Sequence, residues 1–434
     1  MRTYRETFRA KEFTPLFTTG ATQVAASTVS ALALGTLVYA ATRSPLLSAL
    51  SMFGASFGQL IGAMALMSAA DRLPPRAATI EIALALGLTT AVLAVPGLPT
   101  GAILVIVLFQ GLLASIGGGV RYGLLSEVLP ADGYLLGRSL LNMANGTAQI
   151  LGFAAGGVLV ATLSTRGTLL AGAALYLAAA VVARAGLSRR PARTAGRPSV
   201  AETWRVNVRL WSRASRRNVY LALWVPAGLI VGCESLFVPY APQHAGLFFT
   251  VAALGMFFGD ILTGRFVPAR WRHRLGTLLC LLLAVPYLVF LVNPPMPVAL
   301  TAVAIASVGY SAALPLQERL MTLIPDNLHG QALGLHSSGM LTLQGVGAAL
   351  AGVLAQRTTP ATAMAVMAAS SVTVTLALAR GLRPRERSPE PAEPPAPQRR
   401  WVVTRHAHPG RLRLTGSSRR GRRPIDEMFA RLFR

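Results

Sequence analysis

The chain has 434 residues, of which 53% are hydrophobic and 13% charged, against about a quarter charged in an ordinary soluble protein. That composition excludes a soluble enzyme and, at roughly 20 residues per crossing, allows on the order of a dozen membrane spans. The formal charge of +25 raises nucleic acid as a partner, but the basic residues stand between apolar runs or in the tail, where membrane topology accounts for them.

Taken in order, the N-terminal MRTYRETFRAKEF is basic and mixed, and the long apolar run behind it has no small-residue cleavage pattern, so the first span is expected to be retained. Apolar runs predict twelve spans near 16–41, 45–70, 77–95, 99–122, 136–162, 167–187, 218–240, 246–268, 275–292, 297–317, 330–355 and 360–380. Short connections such as PGLPT and NPPMP suit extracellular turns. Cys233 and Cys280 fall inside apolar runs with no paired spacing, so they read as packing residues, and no metal site is expected.

Orientation follows from the basic residues, which stay on the cytoplasmic side during insertion. With the N-terminus inside, only Arg43, Arg166 and Arg357 of the 41 basic residues fall outside. A multi-pass protein of the plasma or inner membrane is therefore expected, with both termini cytoplasmic. The loop 188–217 separates two sets of six spans, giving an N-terminal bundle over 1–187 and a C-terminal bundle over 218–380. Its second part predicts a basic surface helix carrying Trp204 and Trp211 at the headgroup level. The tail 381–434 opens Pro- and charge-rich, as an extended linker does, and ends in PIDEMFARLFR, whose spacing predicts an amphipathic helix over 424–434.

The halves repeat. RYGLLSEVLPADGYLLGRSLL (121–141) followed by LGFAAGGVL (151–159) is echoed by LQERLMTLIPDNLHGQALGL (316–335) followed by VGAALAGVL (346–354). Pro130 and Pro325, Gly152 and Gly347, and Gly157 and Gly352 share one offset, while Gly54 and Gly58 match Gly255 and Gly259 at another. Duplicated six-span halves with a basic linker are the pattern of a transporter whose substrate sits between two rocking bundles.

With these residues in view, the chain resembles the major facilitator superfamily over residues 8–380. MSAADRLPPR (67–76) is similar to the family's cytoplasmic signature at Asp71, Arg72 and Arg76, and departs from it at Met67 and Pro74. The resemblance implies that these three charges form a conformational latch between the halves. GFAAGG, with Gly152, Gly156 and Gly157, resembles the antiporter motif, with Phe153 in the proline position; small residues there also serve helix packing. VLFQGLLAS (107–115) resembles a further efflux motif at Gln110 and Gly111, but Val107 stands where the family has an arginine, which argues against the family's usual proton-transfer route.

Ionisable residues inside spans are costly and mark pathways. Glu234, a turn and a half from the outer end of the seventh span, is the leading candidate for proton coupling or substrate binding. Asp260 is second, with Arg265 as a possible structural partner, and Glu81 lies near the cytoplasmic end of the third span. Arg121, Glu127, Glu318 and Arg319, near the inner ends of the fourth and tenth spans, predict a salt-bridged cytoplasmic gate. Pro226, Pro286 and Pro315 predict bends in their spans.

No nucleotide-binding loop, nucleophile or acid pair stands out, so no cofactor and no enzymatic activity is expected, and energy is expected from a gradient. The expectation is an all-α membrane protein of two pseudo-symmetric six-helix bundles, acting as a single chain with a small-molecule substrate, protons and the lipid bilayer as partners. The resemblance implies export of small organic compounds such as drugs or secondary metabolites. An importer of a nutrient or lipid with the same fold, or a non-transporting sensor or scaffold, are the alternatives.

Overall fold

The computed structural model describes residues 4–65, 73–192, 200–325 and 328–379. Asp71, Arg72 and the expected tail helix 424–434 lie outside them. Among the described residues every regular element is helical: α1 Tyr4–Phe8, α2 Phe13–Thr42, α3 Pro45–Phe53, α4 Ala55–Ala65, α5 Pro75–Leu93, α6 Thr100–Val128, α7 Ala131–Gly186, α8 Val200–Ser212, α9 Ala214–Ser235, α10 Phe237–Tyr240, α11 Ala245–Ile261, α12 Ala269–Ala284, α13 Met296–Val308, α14 Ala313–Thr322, α15 His329–Arg357 and α16 Pro360–Ala379. Met1–Arg383 is one compact unit.

Ten of these helices are long and apolar enough to cross a membrane, and the pair α3 and α4, bent by 41°, supplies an eleventh crossing. The twelfth comes from α7, whose 56 residues would run about 84 Å, far beyond a hydrocarbon core of roughly 30 Å. It breaks at Ser164, which leaves helical geometry at φ 70°, ψ 168°. The Ser164 side chain then accepts the Gly167 N–H at 3.4 Å, as a cap does for the next helix. The expected division between 162 and 167 is thus a tight turn at Ser164 between two helices, which both lie along α2.

Two of the three span prolines, Pro286 and Pro315, coincide with departures from the α-helix, whereas Pro226 stands inside the continuous α9. α12 ends at Ala284 and the chain continues as a 3₁₀ stretch over Val285–Val292 around Pro286, and the 3₁₀ turn Gly309–Ala312 precedes Pro315. A ring nitrogen without a proton cannot close the α-helical bond there. Between α11 and α12 the turn Leu262–Phe266 is π-helical.

Burial is inverted relative to a water-soluble protein. Large apolar side chains face outward, including Val105 (66%), Val181 (65%) and Val292 (74%), as lipid-facing positions must. The span of α9 and α10 is the enclosed one, with 83% of its apolar window buried.

The sequence repeat is also a packing repeat. In the N-terminal half Gly58 meets the backbone of Leu108 and Gly111, which lets α4 lie against α6; in the C-terminal half Gly259 meets Val308 and Gly255 meets Ala304, which lets α11 lie against α13. Gly152 faces Ala25 and Thr28 of α2, and its counterpart Gly347 faces Gly228 of α9. A further repeated pair, Gly157 and Gly352, forms the seams between halves. Gly157 lies against Gly246 of α11, and Gly352 against Leu46 of α3. Matching positions of the two halves therefore make matching contacts, each requiring that no Cβ be present.

Both seams lie at the end of the bundle that carries the short connections 43–44, 241–244 and 358–359, here termed the short-loop end; the opposite, basic end carries the linker. At the short-loop end Ser44 caps α3 by accepting the Leu47 N–H at 3.2 Å. Gln356 of the other half donates to the same hydroxyl at 2.7 Å. Phe153 stacks on Phe249 across the seam at 4.5 Å.

Helix α8 forms where the basic surface helix was expected, with a correction to its face. Trp204 is 62% exposed, but Trp211 stacks on Trp224 at 5.5 Å and so docks α8 onto the C-terminal half. The start of the linker is held to the N-terminal half: Arg190 pairs with Glu12 at 2.9 Å and Glu127 at 3.5 Å.

Gly58→Val puts a branched side chain into the backbone of α6. Overpacking of this kind costs about 1–3 kcal/mol, so the purified variant is expected to melt at lower temperature than the parent in a detergent thermal-shift assay.

Candidate functional site

A cavity of about 400 Å³ lies in the N-terminal half, walled by α2, α3, α4, α5 and α6, with Phe153 and Tyr176 contributed by α7. Its walls are mixed. Val24, Leu34, Ile82, Leu86, Leu93, Phe53 and Phe153 supply apolar surface, and Gln23, Ser30, Ser56, Gln59, Gln110 and Arg121 supply polar groups. The volume falls in the range of small-molecule sites. A narrow recess lined by Leu16, Thr19, Gln23 and Thr79 leads from Arg121 along α2 toward the basic end.

Arg121 sits on α6 and reaches across to α2, where its Nη2 donates to Gln23 Oε1 at 2.7 Å. Gly20, one turn from Gln23, leaves the space the guanidinium occupies: a Cβ there would stand 3.3 Å from Nη1. Gln110 on the opposite side of the cavity donates from Nε2 to Thr89 Oγ1 at 3.0 Å and Thr90 Oγ1 at 3.1 Å. Ser30 Oγ is buried with no hydrogen-bond partner.

The gate expected from Arg121, Glu127, Glu318 and Arg319 is not formed by the first two. Arg121 turns into the cavity toward Gln23, and Glu127 turns to Arg190 of the linker. Both partners belong to the same side of the molecule, so neither residue reaches across to Glu318 and Arg319 on α14. Arg76 differs from the implied latch in the same way. Its Nη2 donates to the Arg184 carbonyl at 2.6 Å, capping the last turn of α7 within its own half, where helix carbonyls lack intrahelical partners.

Glu234 is 6% exposed near the end of α9. Its Oε1 is buried without a hydrogen-bond partner, and no cation pairs with it among the described residues. The titratable groups around it are Cys233, Tyr287 and Tyr310; the Tyr287 and Tyr310 hydroxyls are themselves buried without partners. Glu234 is thus shut into the closed short-loop end and is separate from the cavity in the other half. Asp260 is exposed on α11. Its expected partner Arg265 makes no ion pair with it: five residues apart they do not share a helical face, and the π-turn begins between them. Glu81 is exposed on α5 and does not line the cavity.

Two polar features escaped the sequence reading. Gln23 is neutral and unremarked by spacing, yet it frames the cavity together with Gln110, which the sequence marked only by its motif. In the C-terminal half His336 accepts from Trp224 Nε1 at 3.2 Å through Nδ1 and meets Gln317 at 3.1 Å through Nε2; only the repeat, which places Gln317 beside Glu318, brushed this group.

Two repeated helical halves joined by close helix contacts at one end, with a mixed-polarity cavity in the N-terminal half, are the pattern of a membrane transporter. The family model described as Major Facilitator Superfamily matches residues 16–317 and again 240–433, and the chain belongs to that superfamily. No curated protein matches it in sequence. Among solved structures it is similar to the nucleoside transporter NupG (11% identity, TM-score 0.71, covering 86% of this chain and 100% of that one). It is also similar to a POT family transporter in complex with a thioalcohol-conjugated peptide (12%, 0.67, 85% and 95%). A third is a bacterial homologue of the human lysosomal transporter Spinster in an inward-facing, unoccupied conformation (12%, 0.66, 86% and 95%). Likeness at this identity concerns the fold.

Leucine cannot be housed where Gly157 meets Gly246. Gly157→Leu is expected to part the short-loop end, so that a thiol introduced by Ser44→Cys reacts several-fold faster with a bulky maleimide than in the Gly157 parent, an order-of-magnitude expectation from overpacking at a close helix contact. An unchanged rate would mean that the seam does not hold this end shut.

Proposed function

We propose that the protein is a proton-coupled secondary transporter that exports small organic compounds across the plasma membrane by alternating access, working as a single chain with both termini in the cytoplasm. The observation that carries this reading is Glu234, a carboxyl buried at the closed short-loop end, its Oε1 without a hydrogen-bond partner and no cation paired with it among the described residues. An ionised carboxylate there would be costly, so the closed state holds Glu234 protonated, and opening this end lets it exchange a proton with the outside. The orientation is supported by the positive-inside bias, which makes the basic end cytoplasmic. The 400 Å³ cavity, with its recess toward that end, then receives substrate from the cytoplasm.

Export is supported by the likeness of Gly152, Gly156 and Gly157 to the antiporter motif. Val107 lines the cavity where that motif family places an arginine, so proton transfer runs through the C-terminal half instead. Asp71, Arg72 and Arg76 form the latch when the cytoplasmic ends close, and Arg76 leaves the Arg184 carbonyl to do so. Asp260 and Glu81 are secondary candidates for coupling.

The test is proton release from inverted vesicles with an acidified lumen on addition of a panel of small organic compounds. The parent is expected to release protons, and Glu234→Gln to lose the proton signal while still exchanging substrate across the bilayer. Full proton coupling in Glu234→Gln would overturn the assignment.

A further inference from the structure

Arg121 presents an electrostatic problem that its own neighbours do not solve. A guanidinium remains charged under all physiological conditions, and one inside a membrane bundle needs a counter-charge or water. The cavity that Arg121 lines has, among the described residues, no aspartate or glutamate. Among the described residues its hydrogen-bond partner is the neutral Gln23. Gly20 and Gly118 keep the space around it clear: nothing stands within 4 Å of a Cβ built on Gly118, one turn along α6. The buried Ser30 hydroxyl on α2, without a partner of its own, lines the same cavity.

We propose that this cavity binds an organic monocarboxylate with an apolar body, its carboxylate on Arg121 and its body against Phe53, Phe153, Ile82 and Leu86. The inference rests on the reading of this cavity as the substrate site and adds the substrate class. A carboxylate matches the planar donors of the guanidinium that Gln23 leaves unused. One negative charge balances the single cation. A phosphate dianion would leave a net charge in the bundle, and a cationic compound would add to the one already there. The remaining lining, apolar and aromatic with uncharged amides and hydroxyls, suits a body of modest polarity and rejects a second charge.

The experiment uses the full chain purified in detergent with Gly118→Cys, whose thiol opens into the cavity while Cys233 and Cys280 stay buried. Its modification is timed with an anionic and a cationic methanethiosulfonate reagent of similar size. A focused positive field concentrates anions on the order of tenfold or more, so the anionic reagent is expected to react at least tenfold faster relative to the cationic one than it does with Arg121→Gln, and Arg121→Lys is expected to keep most of that preference. In the Gly118→Cys protein with Arg121 intact, benzoate is expected to slow modification, whereas benzylamine and inorganic phosphate leave it unchanged. This second arm stands even if Arg121→Gln does not fold. Equal reagent preference with and without Arg121, protection by benzylamine or phosphate, or no protection by benzoate overturns the proposal. The assay requires no transport, so its failure is distinct from failure of proton coupling in vesicles.

Discussion

The close approach of helix backbones at paired glycines is the constraint on which the rest of the structure depends. Lipid supplies no hydrophobic drive between apolar helices, so the bundle is held by packing surfaces that can come near enough to interlock. Gly58 against α6 and Gly259 against α13 build each half in the same way. Gly157 against Gly246 and Gly352 against Leu46 then join the halves at one end. That closure seals Glu234 from its surroundings, and the same conformation retains a cavity in the N-terminal half beside Arg121. A seam without side chains can also part without leaving holes in a core, which is what rocking bundles require.

Two ionisable groups stand apart, one in each half, and the proposed mechanism gives each its own task. Glu234 lies in the C-terminal half near the short-loop end, and Arg121 in the N-terminal half on the way to the basic end. They have opposite sign and neither has an ionic partner among the described residues. A carboxylate can shed its charge by taking a proton, whereas a guanidinium cannot. On the proposed reading, the proton belongs to one half and the substrate to the other. Coupling then needs only that the same closure which buries Glu234 also reshapes the walls around Arg121, and Phe153, which lines the cavity and stacks on Phe249 across the seam, is placed to carry it.

Spans were legible in the sequence because apolar length is a one-dimensional property, and the predicted boundaries differ from the helices by only a few residues at most ends. The repeat was legible for a deeper reason: glycines at a fixed offset mark positions where geometry forbids a side chain, so the duplicated contacts appear as duplicated letters. The placement of charges was much less legible. Arg121 and Glu127 are six residues apart and read as one gate, yet one faces the cavity and the other the linker, because helix rotation relative to neighbours is not written in hydropathy. Gln23 gave no signal at all, since a neutral amide in an apolar run acquires meaning only from what faces it, and Gln110 was marked by its motif but not by its place in the cavity. Asp260 and Arg265 looked like a pair by sequence distance and are not one in space.

The central claim is that the two ends of the bundle open in alternation and that Glu234 governs the exchange. Double electron–electron resonance reads it directly, with one pair of spin labels at positions 44 and 356 across the short-loop end and another at 129 and 323 at the basic end. On raising the pH the first distance is expected to lengthen as the second shortens, and in Glu234→Gln both distances are expected to stay independent of pH. Distances that move together, or a response to pH that persists unchanged in Glu234→Gln, would contradict the account.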